Sequence, residues 1–251
     1  MKVLVTGASS GIGREIARNL APDCEKLVIV GRDVGRLEAL RDELSQYKSL
    51  EVSVVAMDLT VNENCIRLHE EYSDIDLLIN NAGMGDFGEF ADTDLEKEIQ
   101  MIDTNVKAMH ILMKLYLKDM VERDQGQILN VASIAGFMPG PLMASYYATK
   151  SYVVRLSEAV KKELKKKKSN VKISILCPGP VATNFEKTAN VGFNFNGAEV
   201  EKIAKYTTKH LNRFYIVPLF TFQISRFLIK IIPTSWTLEI VYRLQGRRVE
   251  K

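Results

Sequence analysis

Val3-Leu4-Val5-Thr6-Gly7-Ala8-Ser9-Ser10-Gly11-Ile12-Gly13-Arg14 runs from a short apolar stretch through a glycine-rich turn into a helical pattern that reaches Leu20. A strand, a glycine turn and a helix start in that order make a specific signal out of a weak one. Glycines let the backbone turn tightly and approach a pyrophosphate. The helix N-terminus then offers free N–H groups and a partial positive charge. The first thirteen residues therefore predict a dinucleotide site.

Bulk properties narrow the class. The 251 residues suffice for one domain with a substantial core. With 34 basic and 31 acidic side chains, the balance gives no basis for nucleic-acid binding. The cluster Lys161-Lys162 and Lys165 to Lys168 reads as a solvated helix end, where cations suit the macrodipole. Cys24, Cys65 and Cys177 lack metal-site spacing and are odd in number, so neither a zinc site nor a disulfide framework is expected. Met1-Lys2 leads directly into a strand and no apolar run reaches spanning length. A cytoplasmic, reducing setting is the expectation.

Apolar runs alternate with helical patterns along the chain. Strands are expected at Lys2–Val5, Lys26–Val30, Glu51–Met57, Ile75–Ile79, Gly126–Val131, Val171–Leu176 and Phe214–Val217. Amphipathic stretches such as Leu37, Leu40 and Leu44 separate them. This alternation predicts an α/β, Rossmann-like, doubly wound parallel sheet with helices on both faces. No linker or repeat divides residues 1–251, so a single NAD(P)-binding domain is expected. Ligands in such folds sit at the carboxyl ends of the strands.

The turn reads T-G-x-x-x-G-x-G. It is followed, in order, by Asn80-Asn81-Ala82-Gly83, Asn105, Ser133, Tyr146-x-x-x-Lys150 and Pro178-Gly179-Pro180. With these motifs the chain resembles the short-chain dehydrogenase/reductase family over roughly its first four-fifths. The resemblance implies strand order 3-2-1-4-5-6-7. It also implies cofactor contacts from Gly7, Ser9, Ser10, Gly11, Ile12, Gly13, Asp58, Leu59, Asn80, Asn81, Ala82, Gly83, Asn105, Tyr146, Lys150, Pro178, Gly179, Val181 and Thr183. Asp58 also reads as a helix cap, and Thr183 as another.

At the end of strand 2, a carboxylate would favour NAD(H) by binding the ribose hydroxyls. This chain has Gly31 and then Arg32. An arginine can pair with a 2′-phosphate, so NADP(H) is expected, with NAD(H) as the alternative. Asp33 could serve as the ribose acid, but an N-cap is the preferred reading.

Tyr146 and Lys150 are four residues apart and share a helical face. A nearby ammonium lowers a tyrosine pKa from about 10. That tunes the phenol for general acid–base work. Tyr147 is the rival acid, but only Tyr146 has lysine at the required offset. The resemblance implies that Ser133 orients a carbonyl oxygen, Tyr146 moves the proton, Lys150 binds the nicotinamide ribose, and Asn105 holds a relay water.

The substrate side is read from two segments. Gly136 to Met143 is uncharged and holds Met138 and Met143; Asn184 to Asn196 carries Phe185, Phe193 and Phe195. Both suit a lipophilic carbonyl or alcohol, with residues 184–210 as a lid region. Residues 219–251 form an apolar helical extension. Its first helix would present Phe220, Ile224, Phe227, Leu228 and Ile231, and its second Trp236, Ile240 and Leu244. Packing on the domain or a subunit is the preferred use, then closing the pocket, then resting on a membrane. The expected protein is an NADP(H)-dependent carbonyl/alcohol oxidoreductase, by analogy a homodimer or homotetramer. A non-catalytic NADP(H) sensor or scaffold is the rival class, and an epimerase the rival chemistry.

Overall fold

The computed structural model describes residues 1–181, 199–219, 222–223, 229 and 231–246. Its strands are β1 (Lys2–Thr6), β2 (Lys26–Gly31), β3 (Glu51–Ala56), β4 (Leu77–Asn80), β5 (Gln127–Val131), β6 (Lys172–Leu176) and β7 (Tyr215–Ile216). They form one sheet of order β3-β2-β1-β4-β5-β6-β7 with every pairing parallel. The fold class and strand order agree with the sequence reading. The boundaries move slightly: β4 starts two residues late and β7 shrinks to two residues.

Alternation along each strand splits the core. Val3, Val5, Leu27 and Ile29 face one side, where they meet α1 (Gly11–Leu20), α2 (Val34–Leu44) and α7 (Val200–Lys209) through Ile16, Leu37 and Ile203. Leu4, Val28 and Val30 face the other side. There they meet α3 (Asn62–Glu71), α5 (Met109–Glu122) and α6 (Ala144–Lys166) through Leu68, Leu112 and Val153. A sheet covered on both faces can place a ligand only at a strand edge, and β1 and β4 provide the switch in order. A further helix, α4 (Leu95–Ile102), continues into a π-turn at Asp103–Ala108. A last helix, α8, spans Thr234–Gly246.

The expected lid region resolves partly into core: Ile203 and Ala204 of α7 are fully packed. Thr183, Phe185, Phe193, Phe195, Phe220, Ile224, Phe227 and Leu228 lie outside the described residues.

Candidate active site

The ends of β1 and β4 are riveted together. Thr6 Oγ1 accepts from the Asn81 and Ala82 backbone N–H groups at 2.9 and 3.0 Å. Asn81 Nδ2 donates to the carbonyls of Thr6 and Gly7 at 2.9 and 3.2 Å. The Asn81 side chain therefore fixes the glycine loop. Gly7 sits at φ +66°, and a Cβ there would fall 2.8 Å from Ala82 Cα. On Gly13 a Cβ would fall 2.5 Å from the Gly7 carbonyl oxygen and closer still to Asn81 Nδ2. The second constraint is close packing of helix on loop rather than backbone freedom.

Helix α1 begins at Gly11, and the Ser10 side chain does not cap it. The first turn holds no acidic residue. Those N–H groups face a cleft of about 350 Å³. Gly7, Ser9, Ser10, Gly11, Ile12, Arg32, Asp58 and Leu59 line one end of it. Ala82, Gly83, Ser133, Tyr146, Lys150, Pro178, Gly179 and Val181 line the rest, and Asn81 lies between. An uncapped helix start beside a glycine cradle fits a pyrophosphate. Arg32, exposed at the same end, fits a further phosphate.

Three expected contacts stand behind the wall instead. Gly13 packs under the loop. Asn80 is buried and donates to Asn130 Oδ1 at 3.0 Å; Asn130 in turn donates to Ser157 Oγ of α6 at 2.9 Å. Asn105 sits in the π-turn. Its Oδ1 accepts from Met84 N at 2.9 Å, and its Nδ2 donates to Met84 O and Thr149 Oγ1 at 2.8 and 3.0 Å. It ties the loop after β4 to the helix that carries Tyr146.

The two aspartates divide. Asp33 caps α2, accepting from Arg36 N at 3.1 Å. Asp58 instead closes a tight turn, with Oδ1 accepting from Thr60 N and Oγ1 at 3.0 and 2.9 Å. It does not cap α3, whose N-cap is Val61. The Thr60 backbone bond and the charge of Arg32 hold its carboxyl below the usual carboxylate range.

Ser133 starts a 3₁₀ turn, Ile134–Phe137, and accepts from Ala135 N at 3.1 Å. Its hydroxyl is hydrogen-bonded to that of Tyr146. Lys150, buried one turn along α6, donates through Nζ to Val131 O at 3.0 Å. Its Nζ lies 5.8 Å from the Tyr146 ring centre. Burial pushes Tyr146 up to about 12, while the Ser133 bond pulls the other way. Burial pushes Lys150 down to about 8. The expected lowering of Tyr146 by Lys150 is not found: the one lowering influence is Ser133, and burial outweighs it.

Met143, expected on the substrate side, and Tyr147, the rival acid, line the cleft; sequence reading missed Met84 and Gln245. Gln245 of α8 is 3% exposed and donates to Tyr147 Oη at 2.9 Å. Met143, Phe87, Tyr146 and Tyr147 pack as a separate apolar cluster. Neither Met84 nor Gln245 carried a local signal, since each meets the cleft through the fold.

A parallel sheet, a phosphate-fitting loop and a Ser-Tyr-Lys group in one cleft define a nicotinamide-dependent oxidoreductase. A family model described as short chain dehydrogenase matches residues 1–192. Three solved structures are similar over most of the chain. One is a short-chain dehydrogenase from Sphingobium yanoikuyae in complex with NADPH: 29% identical, TM-score 0.82, covering 87% of this chain and 88% of that one. Another is a short chain dehydrogenase/reductase from Burkholderia phymatum in complex with NAD: 26%, 0.80, 90% and 91%. A third is the bulky-bulky ketone specific alcohol dehydrogenase from Comamonas testosteroni: 26%, 0.78, 100% and 94%. The chain belongs to the short-chain dehydrogenase family, and is an enzyme acting on CH–OH donors with NAD(P).

Proposed function

We propose that the enzyme interconverts a carbonyl and an alcohol on a lipophilic small molecule and prefers NADP(H). The observation that carries this reading is the grouping of Ser133, Tyr146 and Lys150 in a cleft that has Arg32 at its other end. The nicotinamide, when bound, supplies or accepts the hydride. The protein contributes orientation and electrostatics. The Ser133 hydroxyl, held by Ala135 N, orients the substrate oxygen and stabilises charge developing there. Tyr146 Oη gives or takes the proton. Lys150 Nζ, 5.8 Å from the Tyr146 ring centre, binds the nicotinamide ribose. Asn105 Oδ1 and Lys150 Nζ flank Gly83, 3.0 and 3.3 Å from where its Cβ would be. A proton relay between them fits that gap.

Arg32 supports NADP(H): it lines the cleft, whereas the Asp33 carboxylate is turned to the start of α2. The cluster of Met143, Phe87, Tyr146 and Tyr147 supports a lipophilic substrate. The three buried cysteines, Cys24, Cys65 and Cys177, suit a reducing, cytoplasmic setting. A homodimer or homotetramer is proposed from the family likeness alone.

The test is NADPH consumption against a panel of aliphatic, aromatic and fused-ring carbonyls, with NADH and Tyr146→Phe in parallel. Loss of the general acid should lower kcat by about 10²–10⁴-fold with cofactor affinity kept. Better turnover with NADH would overturn the role given to Arg32. Tight NADPH binding with no turnover on any compound would favour a cofactor-binding sensor.

A further inference from the structure

Helix α8 is built inside out. The residues it turns inward are Thr237, Val241 and Gln245, two of them polar. Turned outward at the same four-residue spacing are Trp236, Ile240 and Leu244, exposed by 68%, 52% and 46%. Leu238 and Tyr242 are also exposed, but two residues out of step they lie on the other flank of the helix; Ile231 is exposed just before it. Leaving such side chains in water forfeits the gain of burying them. An exposed row of three large apolar side chains marks an interaction surface.

The charge of the C-terminal sequence identifies the partner. Residues 213–251 hold seven Lys/Arg against two Asp/Glu, whereas the remaining residues hold 27 against 29. On α8 itself Glu239 neutralises Arg243 at 2.6 Å, and Arg247 and Arg248 follow in sequence. Two-fold pairing of this segment with a second copy would set like charges against each other. An anionic lipid surface is complementary to a basic segment of this kind. Tryptophan is also suited to the headgroup boundary, where its ring is half in apolar surroundings. Among the described residues, no helix is long and apolar enough to cross a membrane.

We propose that α8 lies on an anionic membrane surface with Trp236, Ile240 and Leu244 inserted at the headgroup boundary. The opposite side of the same helix reaches the catalytic cleft through Gln245. Seated this way, the cleft stands beside the lipid phase, from which an apolar substrate would enter. The surface reading does not depend on turnover.

Trp236 is the single tryptophan of the chain, so its emission reports on this face alone. The full-length protein would be titrated with vesicles of phosphatidylcholine alone and with phosphatidylglycerol added. The expected result is a blue shift, quenching by brominated lipid, and co-sedimentation with the anionic vesicles, all weakened by salt. Ile240→Glu with Leu244→Glu should abolish all three while leaving the thermal midpoint within a few degrees. Should that variant misfold, the wild-type emission decides alone. Trp236 emission that stays water-like with both vesicles overturns the proposal. So does a blue shift that grows with protein concentration without lipid, which would mean that a second copy covers the face.

Discussion

Lys150 shows how far one side chain is held from its comfortable state. It is 5% exposed, and burial pushes its pKa from 10.5 down to about 8. The folded value lies below the unfolded one, so between about pH 8 and 10.5 the unfolded chain binds more protons. Stability contributed by this group therefore rises with pH across that window. Below pH 8 the fold carries a buried ammonium. Lys150→Met removes it, relieving about 3 kcal/mol at one pKa unit per 1.4 kcal/mol. The Val131 carbonyl left without its donor offsets about 1 kcal/mol of that gain. The variant should be more stable than wild type in urea at pH 7, inactive, and lose its advantage by pH 10. A variant less stable at both pH values would mean that Lys150 is mainly a structural donor. Arg32 lies at the opposite extreme: it is exposed, and among the described residues its charge acts only weakly, on Asp58. Arg32→Ala should weaken NADPH binding by about 10–100-fold, the worth of a charge-assisted bond, and leave NADH nearly unchanged. Equal losses for both cofactors would remove the 2′-phosphate contact from Arg32.

At the level of elements, the glycine loop and α1 work as one part because Asn81 reaches back from the end of β4 to clasp the loop. Gly13→Ala should force that clasp apart, since its Cβ would meet Asn81 Nδ2 and the Gly7 carbonyl. Overpacking of this kind costs about 1–3 kcal/mol, and dinucleotide affinity should fall with it. A thermal melt and a cofactor titration on the same sample would check both; unchanged affinity would mean that the loop holds its shape without Asn81. The strands were legible in the sequence because buried parallel strands are short apolar runs. Val3-Leu4-Val5 and Leu27-Val28-Ile29-Val30 read the same way before and after folding. The rim residues were legible because glycine and serine follow those runs. The π-turn at Asp103–Ala108 was not. Asp-Thr-Asn-Val-Lys-Ala has an ordinary helical pattern, and Asn105 within it bonds to Met84 and Thr149, 21 and 44 residues away. Nor was the side-chain partner of Asn80 legible: it bonds to Asn130, 50 residues away inside the sheet.

For the whole molecule, the sheet specifies where the cleft is, and the C-terminal helix specifies where the cleft stops. A stripe such as Trp236, Ile240 and Leu244 states only that a helix has an apolar side. It does not state whether that side meets the core or something outside the chain; within one chain this face stays exposed. What decides the orientation of α8 is long-range: Gln245 Nε2 donates to Tyr147 Oη, across 98 residues, next to the proposed general acid. This bond joins the last helix to α6 beside the catalytic residues. Gln245→Met keeps the length of the side chain and removes the donor; Tyr147→Phe removes the acceptor. Each should cost about 1 kcal/mol of stability, and the double variant should cost less than the two together by roughly 0.5–1.5 kcal/mol. If the pair also sets the width of the cleft, both single variants should alter kcat/KM for bulky ketones more than for small ones. Strict additivity in the melts would mean that α8 is held by Val241 and Thr237 alone. Selectivity would then have to be sought on the opposite wall of the cleft, at Met84 and Met143.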